Sequence, residues 1–212
     1  MGMGSATMTD TAAAQVRTPV WDRVIRIGHW VLATAVAISL ITRGEPESLH
    51  RLAGYMIVGW IVVRLFWGVV GPPHARFDRF LTAPGDAVAY VVDLVRGRAR
   101  RHVGHSPAGG WMVVALLIAL SGSAATGLAM ENKVAPPALL APLLGEEEGE
   151  RAGVIGDDAE GGESPWEDAH EAFANLVLGL VIVHVLGVAL ASSAHRENLV
   201  RAMVDGRKRA EP

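Results

Sequence analysis

The sequence predicts an all-α protein: an integral membrane four-helix bundle with both termini in the cytoplasm. Three observations predict it. Half of the 212 residues are hydrophobic and 19% are charged; four segments stay apolar over a bilayer's width; and Lys and Arg gather on one side of those segments. Crossing a hydrocarbon core about 30 Å thick takes roughly 20 helical residues. The spans are read at about 22–42, 50–71, 110–130 and 169–194. The absence of cysteine excludes disulfides, thiolate zinc sites, iron–sulfur clusters and covalent c-type haem. A metal in this chain must be held by His, Met or carboxylates.

Taken in order, residues 1–20 are small and polar and are expected to form a disordered cytoplasmic tail. The first span starts with charges and runs through WVLATAVAISLIT; its apolar run is long and lacks a clear cleavage site, so it is read as a retained helix and not a signal peptide. Arg17, Arg23 and Arg26 precede it. Arg76, Arg79, Arg96, Arg98, Arg100 and Arg101 lie between spans two and three, and Arg196, Arg201, Arg207, Lys208 and Arg209 follow span four. Only Arg43, Arg51, Lys133 and Arg151 fall on or beside the other side, and the positive-inside rule then places both ends in the cytoplasm. Within the second connection, DAVAYVVDLVRGRARR predicts a short helix on the inner membrane surface. Residues 131–168 carry eleven acids against Lys133 and Arg151, which predicts an irregular outward-facing loop. Residues 195–212 are read as a basic cytoplasmic tail, so that 21–194 is the membrane domain.

Four of the eight histidines fall in or at the end of spans: His29, His50, His170 and His184. Fourteen helical residues advance to about 40° short of four full turns and rise about 21 Å, so His170 and His184 share one face at two depths. Span four runs inward, which places His170 at the outer level and His184 deep. Span two starts at the outer level with His50. His29 lies about 20 Å from the outer end of span one at Thr42. The depths therefore match as two pairs, His50 with His170 and His29 with His184.

A porphyrin iron takes two axial donors on opposite faces, and two helices offering one imidazole each at equal depth supply them. Two such levels predict two haems b stacked across the membrane. Gly28, Gly54 and Gly187 lie next to or within four residues of these histidines and would leave room for a macrocycle, although small residues also pack bare helices. An interhelical hydrogen bond or a proton path is the competing use of a membrane histidine. Arg26, Arg43 and Arg51 stand at the levels where haem propionates would lie, and for each both propionate contact and snorkelling to lipid phosphate are open. Arg64 is ambiguous in the same way. His74, His102, His105 and His195, in inner loops, are read as solvated or phosphate-facing. Thr126 and Asn175 are read as packing donors, and Trp30, Trp60, Trp67 and Trp111 as belt anchors.

These residues resemble the bacterial cytochrome b561 group, which includes the b-type subunits of nickel–iron hydrogenases. The likeness runs from residue 20 onward: WDRVIRIGHW (21–30), LHRLAGY (49–55), HSPAGGW (105–111) with TGL (126–128), HEAFAN (170–175) with HVLGV (184–188), and HRENLVRAMVDGRKR (195–209). It implies a four-helix bundle in the bacterial inner membrane that binds two haems b through His29, His50, His170 and His184. It further implies respiratory-chain electron transfer between the quinone pool and a partner, either a periplasmic cytochrome c or a dehydrogenase or hydrogenase subunit. A stand-alone quinone reductase using superoxide is also within the resemblance. The acidic outer loop 131–168 is longer than in compact members, and two uses for it stay open: steering of a basic soluble partner such as a periplasmic cytochrome c, and a solvated loop that only keeps the outer face soluble. His105 and Arg26 are the inner-side candidates for a quinone site. A haem-free transporter using His29 and His184 as a proton or metal relay is the rival class, and a structural anchor the third.

Overall fold

The structure is a computed structural model that describes residues 17–133 and 165–209. Along the chain these form β1 (Arg17–Pro19), α1 (Arg23–Thr42), α2 (Glu47–Val70), α3 (Phe77–Phe80), α4 (Pro84–Val95), α5 (Pro107–Glu131), α6 (Pro165–Ala194), α7 (Leu199–Asp205) and β2 (Arg207–Arg209). Helices α1, α2, α5 and α6 are long and apolar enough to cross a membrane. The starts of α1 and α5 are chemically marked. Asp22 caps α1 by accepting from the Val24 and Ile25 amides at 2.8 and 3.1 Å. Ser106 caps α5 by accepting from the Gly109 amide at 3.2 Å, and Pro107 at the first turn has no amide to leave unpaired. With that cap α5 begins three residues before the expected span.

Helix α1 packs on α2 and α5 on α6, while α2 also meets α5 and joins the two hairpins. Their shared core holds Ala35, Val36, Ala53, Ile57, Ile61, Leu117, Ala119, Leu120 and Val177. Gly28 allows α1 and α2 to close: a Cβ there would overlap the Trp60 indole at 1.8 Å. Gly28 thus serves helix packing, and Trp60, expected to be a belt anchor, packs against α1. Helix α6 packs chiefly on α5, with small contacts to α4 and α7; among the described residues it makes no comparably close approach to α1 or α2, and Val177 is its one buried residue.

At the end of the bundle where β1 and β2 pair, residues 17–20 of the expected disordered tail are ordered. Arg17–Pro19 pairs antiparallel with Arg207–Arg209, and Val20 is buried. The Val20 and Trp21 amides donate to the Gly206 carbonyl at 2.8 and 3.1 Å. Gly206 has a positive φ of 79° and lies so close to the Trp21 carbonyl that a side chain would not fit, which fixes glycine at this junction. Within the basic tail read at 195–212, Leu199–Asp205 form α7 and Arg207–Arg209 form β2. Helix α4 bears an exposed apolar face of Val88, Val91, Val92 and Val95, at the one-face spacing of a helix lying on a membrane surface. The acidic runs expected in the outer loop fall outside the described residues, apart from Glu131 at the end of α5 and residues 165–168 in α6.

Candidate functional site

The bundle brings the four span histidines together in twos. His29 of α1 faces His184 of α6 with ring centres 6.4 Å apart and planes at 52°. His50 of α2 faces His170 of α6 at 6.1 Å and 72°. Both pairs bridge the loosely packed side of the bundle, between α6 and the α1–α2 hairpin. Along α6 the two levels are separated by fourteen residues, about 21 Å of helix.

The spacing within each pair is chemically informative. Two imidazoles on opposite sides of one metal ion, each bonded at about 2 Å with the ring's half-width behind the bond, stand with centres roughly 6 Å apart. Direct imidazole hydrogen bonding needs a nitrogen–nitrogen separation near 3 Å, and among the described residues no such bond joins either pair. Nδ1 of His29 and Nδ1 of His50 are buried without a hydrogen-bond partner. A buried ring nitrogen left without a partner is costly, and each of these is either a lone pair open to a ligand or an N–H still short of an acceptor. Among the described residues no group of three or more His, Asp or Glu could hold a bare metal ion. Two axial imidazoles per level fit a metal whose remaining ligands come from a macrocycle. A Cβ at Gly54 or Gly187, beside His50 and His184, would meet nothing within 4 Å.

His170 has an orienting shell that the sequence reading did not assign. Its Nδ1 lies 2.9 Å from the Ser123 carbonyl and 3.1 Å from the Thr126 hydroxyl of α5. The carbonyl can only accept, so Nδ1 carries the proton and Nε2 keeps its lone pair for a ligand. Thr126 was read as a packing donor. It does donate to α5 carbonyls, at 2.9 Å to Gly122, yet it also touches a site histidine. The fragment TGL in the family likeness was the available signal.

The arginines divide by partner. Arg51 is held by Glu47 at 3.4 Å and Glu131 at 3.8 Å, and Tyr55 donates its hydroxyl to the same Glu131 at 2.6 Å. Arg26 donates through Nη2 to the Val204 carbonyl, and its Nε is buried without a partner. Arg43 ends α1 in the left-handed conformation with φ 49°. Arg64, ambiguous in sequence, is buried with its guanidinium 4.5 Å from the Phe77 ring centre, a cation–π contact.

His105 departs from its expected solvated role. Its ring lies 4.6 Å from Trp21 and 4.3 Å from Phe80, and Nδ1 is out of solvent with no partner. Burial, reinforced by the charges of Arg64 and Lys208 and by His74, pushes its pKa down to about 3. His195 accepts from or donates to the Tyr90 hydroxyl at 3.1 Å, and burial lowers its pKa while raising that of Tyr90.

Comparison with curated proteins and with solved structures gives no match. A family model described as prokaryotic cytochrome b561 matches residues 20–206, nearly the whole chain and all four histidines. The chain belongs to the prokaryotic cytochrome b561 family, and with it to the multi-pass membrane proteins that bind haem b and transfer electrons.

Proposed function

We propose that this chain carries electrons across the bacterial inner membrane through two haems b, one ligated by His50 and His170 on the outer side and one by His29 and His184 on the inner side. The observation that carries the reading is the spacing: two histidine pairs at different depths, both with ring centres near 6 Å, on the loosely packed side of α6. Bound haem iron would supply the one-electron chemistry. The chain's own residues do the rest. The four imidazoles would hold the iron, the α5 carbonyl of Ser123 fixes the tautomer and plane of His170, and the apolar helix faces would exclude water.

Of the arginines proposed toward propionates, Arg43 at the outer end and Arg26 at the inner end have guanidinium nitrogens free of acid partners among the described residues. Arg51 would share its charge with Glu47 and Glu131. The basic end built from β1, α7 and β2 is assigned to the cytoplasm by the positive-inside rule. Exchange with quinone is placed at this inner end, beside His105 and Arg26; the outer partner is a periplasmic cytochrome c or a dehydrogenase or hydrogenase subunit.

The deciding experiment is a dithionite-reduced minus oxidised spectrum of the purified protein, with extracted haem counted per chain. Two low-spin haems b per chain are expected. A flat spectrum from folded protein would discard the proposal and leave a haem-free transporter as the reading to pursue.

A further inference from the structure

We propose that the end of the bundle where the chain's two ends meet holds a binding site for a phosphate-bearing anion. A cavity of about 110 Å³ opens there, lined by Arg17 of β1, Arg196 before α7, Arg201 of α7, and Arg207 and Arg209 of β2, with Glu197 as the one acid. The fold itself forces these cations together. In the β1–β2 register Arg17 stands directly opposite Arg209, and like charges placed opposite across a ladder repel.

The neighbouring acids do not neutralise the cluster. Asp205 is shared by Arg17 at 3.1 Å and Arg201 at 3.6 Å. Glu197 is already held by Arg101 at 3.3 Å and Lys208 at 3.9 Å, and it accepts from the Arg209 amide at 2.8 Å. Arg209 donates from its guanidinium to the His195 carbonyl at 3.2 Å. The guanidinium groups of Arg196 and Arg207 have no acid or carbonyl partner among the described residues. Five planar forks converging on one small cavity, with two left over, are suited to the several oxygens of a phosphate group. Arg196 follows the last residue of α6, Ala194, by only two positions, so the cavity lies at headgroup level if α6 spans the bilayer. The phosphate of an anionic phospholipid and that of a soluble phosphate compound share this chemistry. The site stands whether or not the chain carries haem.

The test uses the full chain in detergent. Native mass spectrometry would count phosphatidylglycerol and phosphatidylcholine retained per chain, and calorimetry would measure pyrophosphate binding. The wild type would be compared with Arg196→Gln/Arg207→Gln and with Arg98→Gln/Arg100→Gln, which alters charge outside the cavity; circular dichroism checks each fold. Phosphatidylglycerol retained over phosphatidylcholine, and reduced about tenfold or more in the first variant alone, upholds the site with a lipid source. Pyrophosphate binding lost in the first variant, without preference for phosphatidylglycerol, upholds it with a soluble source. Equal binding of every probe by the three proteins overturns it.

Discussion

His184 is the residue on which the proposed two-level arrangement depends most simply, because among the described residues its one ring partner across the bundle is His29. Replacing His184 with Ala is expected to remove one of two haems and leave the other. A haem count halved in folded protein, with the residual spectrum still low-spin, checks this. His50→Ala should remove the complementary haem, and the two spectra should add to that of the wild type. At Gly28 the expectation concerns stability: Gly28→Ala drives a methyl into the Trp60 indole and should cost about 1–3 kcal/mol, read as a lower melting temperature in detergent. Adding Trp60→Leu should recover part of the loss. The histidine depths were legible because helical rise is regular, so distance along the sequence converts directly to depth. The contacts of His170 were not, because Thr126 lies 44 positions away on a helix whose rotation the sequence leaves open. His105 was misread for a related reason: Trp21 and Phe80, which bury it, come from two distant segments.

Among the elements, the four long helices were readable from continuous hydropathy, and the Asp22 and Ser106 caps fix where α1 and α5 begin. The short pieces were not readable. Arg17–Pro19 contains a proline and its partner strand is Arg207–Arg209, so neither segment has the apolar alternation that marks a strand. What holds this clasp is a set of polar contacts around Glu197, which is nearly buried with Lys208 and Arg101. Glu197→Gln leaves a buried ammonium without its counter-charge and is expected to destabilise the clasp by about 3 kcal/mol. Faster hydrogen exchange at Val20 and Trp21, whose amides bond to Gly206, would report it; unchanged exchange would show that the strand pairing holds without the ion pair.

For the whole molecule, His105 sets a pH dependence. Its folded pKa, pushed down to about 3, lies below the unfolded value of 6.5, so the unfolded chain takes up a proton first as the medium is acidified. The stability that its neutral form contributes is complete above pH 6.5 and is lost as the pH falls toward 3. Melting temperatures measured between about pH 8 and pH 4 should therefore decline on the acid side, and His105→Phe should flatten the slope while His195 retains its share. The acidic connection, proposed to face outward, predicts that reduction of a basic cytochrome slows as salt is raised, and stopped-flow rates indifferent to ionic strength would count against steering. The clasp at the opposite end has a consequence for assembly. Arg17 and Asp205 are joined across 188 positions of chain, so β1 waits unpaired through the making and insertion of all four spans. Its closure can come only after α7 and β2 are made, and a protein cut short after α6 keeps the four span histidines yet loses His195 and the seal over Trp21 and Arg26.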